Sequence, residues 1–167
     1  MEVKIKKLNE NAVIPFKTYD SDFCYDVVAT SEEEIAPNVW KYGLGFALQI
    51  ERGDEKLLEI MHNKLGNTYA CVDTSKMFIK LSADFRSRSS IWKTGMVLAN
   101  SVATVDESYT GEVFLVFYHV MPNMPRYKVG DKIAQMKIGV TFPINFNEVK
   151  EFKETERGEG GFGSTGK

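Results

Sequence analysis

Leu44, Phe46, Leu48 and Ile50 alternate with Gly45, Ala47 and Gln49, and Ile79, Leu81, Ala83 and Phe85 alternate with Phe78, Lys80, Ser82 and Asp84. A period of two gives each run one apolar face, so both predict strands lying on a core. Val113 to Tyr118 is apolar at every position, which predicts a strand covered on both faces. A further strand is expected over Lys132 to Val140. Turn chemistry separates the runs at Pro37-Asn38, at Met121-Pro122-Asn123 with Pro125, and at Val129-Gly130-Asp131. Short strands spaced in this way predict an all-β fold: a β-sandwich, jelly roll or barrel.

One segment has a different period. Within residues 55–65, Leu57, Leu58, Met61 and Leu65 share one helical face, with Asp54 at the N-cap position and Gly66 at the stop. This predicts one short helix inside an insertion of about 51–76. Residues 153–167, KETERGEGGFGSTGK, hold five glycines and one large apolar residue, Phe162. Such a segment builds no core. The expected organisation is a domain over 1–152 followed by a glycine-rich arm over 153–167.

With 167 residues the chain fits one domain, and its net charge of -2 excludes a broadly basic nucleic-acid coat or a polybasic membrane anchor. Only two cysteines, Cys24 and Cys71, and two histidines, His62 and His119, are present, with no CxxC pair. That excludes a disulfide framework, a structural zinc site and the zinc-deaminase pattern. No apolar stretch approaches the ~20 residues of a membrane span. MEVKIKKLNENAV has no apolar signal core, so the expected compartment is a reducing cytoplasm, or a host's cytoplasm for a viral chain.

Gly161 to Lys167, GFGSTGK, fits the start of a P-loop pattern, but no strand and helix frame it. What remains is glycine-rich backbone able to turn N–H groups toward an anion, with Ser164, Thr165 and Arg157 as further donors. Arg88, Ser89 and Ser90, placed after a predicted strand, form a second anion-binding candidate. Between them lies NSVATVDESYTGE, residues 100–112. Asn100 can address a base edge, Asp106 can act as a base on water or cap a turn, and Tyr109 can lie against a sugar. Asp26 is an acid beside a strand, either solvated or a cation's partner. Glu32-Glu33-Glu34 reads as a solvated charge run.

In this order the segments resemble the homotrimeric dUTPase family over most of the chain outside 51–76. The five motifs are Ser21-Asp22-Phe23-Cys24-Tyr25-Asp26, then Arg88-Ser89-Ser90, then Asn100 through Val105-Asp106 and Tyr109 to Gly111-Glu112. Gly130-Asp131-Lys132-Ile133-Ala134-Gln135 is the fourth, and Arg157 to Gly166 the fifth. Cys24 and Ala103 stand where that family usually has glycine, each removing backbone freedom.

The resemblance implies a jelly-roll trimer with sites shared between subunits. It also implies Mg²⁺-assisted hydrolysis of dUTP to dUMP and diphosphate, which limits uracil in DNA and supplies dUMP for thymidylate synthesis. Asp106 would activate the water. Arg88, Ser89, Ser90 and Gln135 would hold phosphates, and Asn100 with neighbouring backbone would read the uracil edge. Thr104, Val105 and Gly111 belong to the same substrate-binding set, and Tyr109 would exclude a ribose 2′-hydroxyl. In the arm, Arg157, Ser164 and Thr165 would close over the phosphates while Phe162 stacks on uracil, and Gly163 belongs to the substrate-binding set. Asp26 would meet the metal through water. The alternatives are a dCTP deaminase-like enzyme, or a dUTPase with an added regulatory role through a protein partner at 51–76. No nucleic-acid or membrane partner is expected.

Overall fold

A computed structural model of the chain describes residues 2–51 and 80–160. The expected helix at 55–65 and Phe162, Gly163, Ser164 and Thr165 lie outside the described residues. The strands are β1 Glu2–Lys7, β2 Tyr25–Val28, β3 Ser31–Ala36, β4 Val39–Gly43, β5 Phe46–Glu51, β6 Lys80–Arg86, β7 Met96–Leu98, β8 Val102–Asp106, β9 Phe114–His119 and β10 Lys132–Thr141. They form three antiparallel sheets, ordered β1-β5, β2-β10-β6-β8 and β3-β4-β9-β7. The architecture is the expected jelly roll, and among the described residues no helix is long and apolar enough to cross a membrane.

One buried cluster joins the sheets. Val27, Ala83, Phe85 and Ile133 come from one four-stranded sheet, and Tyr42, Leu115 and Phe117 come from the other. Tyr42, Phe117 and Tyr127 meet edge to face, with centroids 5.5 to 6.5 Å apart. The Tyr42 hydroxyl donates to the Tyr127 carbonyl over 2.8 Å, so the buried phenol keeps a polar partner.

Several expectations need correction. β9 alternates rather than being covered on both faces: Leu115 and Phe117 are buried, while Phe114 and Tyr118 are exposed. Among the described residues, its second face stays open at Phe114 and Tyr118. The acidic run Glu32-Glu33-Glu34 is part of β3, not a simple solvated stretch. Arg126 forks onto Glu32 with bonds of 2.9 and 3.0 Å while its guanidinium lies 3.5 Å from the Trp40 ring centroid. Lys41 pairs with Glu33 at 2.6 Å.

Three local devices position the functional segments. Gly130 takes φ 92, and its turn is closed by the Asp131 carboxylate accepting the Lys128 N–H at 2.7 Å. The Gly130 N–H then reaches the Ala29 carbonyl, which sets the start of β10 beside the end of β2. Ser89–Lys93 forms a 3-10 helix after an extended Arg88. Ser101 takes φ 56 between β7 and β8. The left-handed residue is therefore Ser101, and Ala103 sits in ordinary strand backbone opposite Phe85, where it needs no glycine.

Candidate functional site: two halves at opposite ends of one strand pair

The first half gathers on β2, β10 and the end of β6. Asp26 is only 6% exposed, and its carboxylate accepts Arg88 Nε at 2.9 Å and Lys132 Nζ at 3.0 Å. Burial pushes the Asp26 carboxyl up, but the Lys132 hydrogen bond and the Arg88 charge and hydrogen bond outweigh it and hold the group below its usual range. Backbone pairing with Phe16 fences the other side of Asp26, and Lys132 lies 4.7 Å from the Phe16 ring centroid. Gln135 stands opposite both Asp26 and Arg86 in register, so it belongs to this half. Arg88 Nη1 makes a long 3.4 Å contact with Ser90 Oγ, which brings the RSS segment together with Asp26. This half can receive an anion: a guanidinium and an ammonium meet on one buried carboxylate, with the Ser90 hydroxyl at the guanidinium and Gln135 opposite Asp26 in register.

The second half is an open pocket of ≈ 310 Å³ lined by Thr104, Val105, Asp106, Tyr109, Glu112, Val113 and Phe114. Asp106 is the last residue of β8, and its side chain has no hydrogen-bond partner among the described residues. The Tyr109 N–H closes a turn onto the Asp106 carbonyl at 3.0 Å, and the Tyr109 hydroxyl donates to the Glu112 carbonyl at 3.0 Å. A Cβ on Gly111 would stand 2.5 Å from the Tyr109 hydroxyl oxygen, so glycine is what lets the phenol lie there. The Glu112 carboxylate accepts the Gly45 N–H at 3.0 Å and ties this loop to the start of β5. Thr104 Oγ1 donates to Asp84 at 3.2 Å. Asn100 is exposed in the β7–β8 turn and does not line this pocket. Arg157 is exposed and donates from Nε to the Gly160 carbonyl at 2.9 Å within its own turn.

Ser82 pairs with Asp106 at one end of the β6–β8 ladder, and Arg86 pairs with Val102 at the other. Four residues of strand separate those ends, about 13 Å at ~3.3 Å per residue, and Arg88 lies further still. Asp106 and the Arg88 clamp therefore stand toward opposite ends of the β6–β8 ladder.

Sequence reasoning gave no role to Lys132, Glu112 or Phe114. Lys132 and Glu112 lie inside the quoted motifs, and their partners, Asp26 and Gly45, are far away in the chain. Phe114 reads only as a member of an apolar strand. Among the described residues, no three His, Cys, Asp or Glu side chains gather as a metal cage. Asp26 is already engaged by two cations, so its donor set suits a metal carried on a ligand's phosphates and waters, not one bound directly by protein carboxylates.

The family model described as dUTPase matches residues 60–166. A deoxyuridine 5'-triphosphate nucleotidohydrolase of Clostridioides difficile is 32% identical over 165 residues, covering 98% of this chain and 97% of that protein. One of Helicobacter pylori is 32% identical over 167 residues, covering 99% and 97%. Among solved structures, a Staphylococcus bacteriophage 80alpha dUTPase mutant with dUpNHpp aligns with a TM-score of 0.70 at 20% identity, covering 99% of this chain and 98% of that one. A mutant dUTPase from phage phi11 of S. aureus, whose description names a structural Mg(II) ion, aligns at 0.62 and 17%, covering 92% and 100%. With one match spanning most of the chain and another at this identity over nearly all of it, the chain belongs to the dUTPase family.

Proposed function

We propose that the chain hydrolyses dUTP to dUMP and diphosphate, in a site built from more than one subunit. Water attacks the α-phosphorus as Asp106 takes its proton. The new P–O bond forms while the bond to the bridging oxygen breaks, and diphosphate leaves. Arg88, Ser89, Ser90 and Gln135 hold the phosphates, with Asp26 and Lys132 fixing the Arg88 fork. Tyr109, pinned over Gly111, presents its ring to the sugar and leaves no room for a 2′-hydroxyl. Thr104 and Val105 line the nucleoside pocket. Mg²⁺, carried on the substrate phosphates, supplies charge neutralisation at the leaving oxygens when bound. Asp26, already paired with Arg88 and Lys132, would meet that ion through water.

The observation that carries the shared site is the separation of Asp106 from Arg88 along one strand pair. A water-activating base and a phosphate clamp must meet on one triphosphate, so they come from different chains. A homotrimer satisfies this, since each interface then completes one site. Exposed apolar side chains support the same reading: Phe114, Tyr118 and Val97 on one sheet face, and Phe142, Ile144, Phe146 and Phe152 beyond β10. Residues 153–167 form the arm that reaches a neighbour's site, with Arg157, Gly163, Ser164 and Thr165 on phosphate and Phe162 on uracil. The work is done in a reducing cytoplasm, where it limits uracil in DNA and supplies dUMP. A protein partner at 51–76 would be an additional role.

The test is diphosphate release from dUTP, dCTP, dTTP and UTP, with ammonia release from dCTP measured alongside. Diphosphate from dUTP, with the other substrates poor, is expected. Ammonia from dCTP would assign the deaminase-like alternative instead.

A further inference from the structure

The Asp106 carboxylate has no hydrogen-bond partner among the described residues, so its aim is set by the backbone that carries it. That backbone lies at the last Cα pair of the β6–β8 ladder, Ser82 opposite Asp106. Strand ends fray unless something holds them. The next residue, Glu107, does the holding. Its N–H donates to the Leu81 carbonyl at 3.2 Å. In a regular ladder the Leu81 N–H would return to the Glu107 carbonyl. Here it donates to the Glu107 carboxylate, Oε2, at 3.0 Å. One residue thus engages both polar groups of Leu81, whose side chain is buried in the core. Taking the Leu81 N–H on the side chain also lets the main chain turn at 107, and the Tyr109 N–H closes that turn onto the Asp106 carbonyl.

We infer that Glu107 is a positioning residue for Asp106: its carboxylate stands in for the missing ladder partner and fixes the strand end from which the base is aimed. This rests on the reading of Asp106 as the base. The hydrogen bond to the Leu81 N–H carries the inference. Lys80 Nζ approaches Oε1 at 3.3 Å, but the lysine side chain is 66% exposed and the pair is screened by water. Side-chain length is therefore decisive: aspartate is one methylene short of the Leu81 N–H, whereas glutamine keeps an acceptor oxygen at the right reach.

The experiment compares Glu107→Ala, Glu107→Asp and Glu107→Gln in the full chain, measuring kcat and KM for dUTP and the Kd of a non-hydrolysable dUTP analogue. Alanine and aspartate should lower kcat by about 10–100-fold, with KM and Kd within about threefold, because a misaimed base slows chemistry and spares binding. Glutamine should retain kcat within about threefold of the parent. If alanine does not fold, the aspartate and glutamine pair decides. Full kcat in Glu107→Asp, a glutamine variant as slow as the aspartate one, or equal losses of kcat and affinity would overturn the positioning role. Asp106→Asn is run in parallel. Near-normal turnover there would sink the base assignment itself, whereas an inactive Asp106→Asn beside a fully active Glu107→Asp would sink only this inference.

Discussion

Arg88 donates from Nε to the Asp26 carboxylate over 2.9 Å, which leaves Nη2 without a partner among the described residues and Nη1 with only the long contact to Ser90. A guanidinium held by its Nε edge keeps its terminal donors for an incoming anion. Lys132 is held by the same carboxylate, so one buried acid orders two cations.

Removing that acid should cost both stability and activity. Asp26→Ala leaves Arg88 and Lys132 side by side and uncompensated. Because both are partly exposed, the expected loss is about 1–3 kcal/mol rather than the larger cost of a fully buried pair. The kcat/KM for dUTP should fall by roughly 10–100-fold as the Arg88 fork loses its orientation. Urea denaturation and steady-state kinetics on the same preparation check both numbers.

The pH dependence follows from the same groups. Asp26 and Asp84 are pushed up by burial, yet their hydrogen bonds and neighbouring cations bring both below 3.8. For Glu32 the Arg126 hydrogen bond leads, burial opposes, and the group lies below 4.5. A carboxyl whose folded pKa is depressed contributes stability that is present above its unfolded pKa and is lost as pH falls through its folded pKa. Stability carried by these groups should therefore be level above about pH 5 and decline below about pH 4. Urea midpoints measured from pH 6 to pH 3 should show the decline, and Asp26→Asn should show a shallower one. Identical acid limbs in the two proteins would contradict the assignment.

Gly111 sets where the Tyr109 ring lies. Gly111→Ala places a methyl 2.5 Å from the Tyr109 hydroxyl and 2.7 Å from Cζ, so the ring must move. KM for dUTP should rise by about tenfold, and discrimination against UTP should weaken by a similar factor, roughly 1–1.5 kcal/mol. Because the loop is exposed, the melting temperature should change little. Unchanged discrimination with a folded protein would remove Tyr109 from its role at the sugar.

The strands readable from sequence were those whose side chains alternate into the core within one chain. β6 has that pattern in full: Leu81, Ala83 and Phe85 are buried while the residues between them are not. β3 did not read as a strand, because its glutamates are satisfied by Arg126 and Lys41, and Arg126 lies 94 residues from Glu32. β9 misled in the other direction: its continuous apolar run describes a strand covered twice, while the described residues bury only its Leu115 and Phe117 face. The site divided in the same way. Asp106, Tyr109 and Gly111 were legible because they lie within one turn. The clamp of Arg88 and Lys132 on Asp26 was not, because it depends on strand register.

The separation of Asp106 from Arg88 is best tested by mixing two defective chains. Asp106→Asn and Arg88→Ala should each be nearly inactive alone. Co-unfolded and reassembled at equal amounts, they should regain up to roughly a quarter of parental dUTP hydrolysis, because random assembly gives that share of sites an intact Asp106 from one chain and an intact Arg88 from another. Activity that stays at the sum of the two parents, in assemblies shown to be mixed, would contradict a base and a phosphate clamp supplied by different subunits.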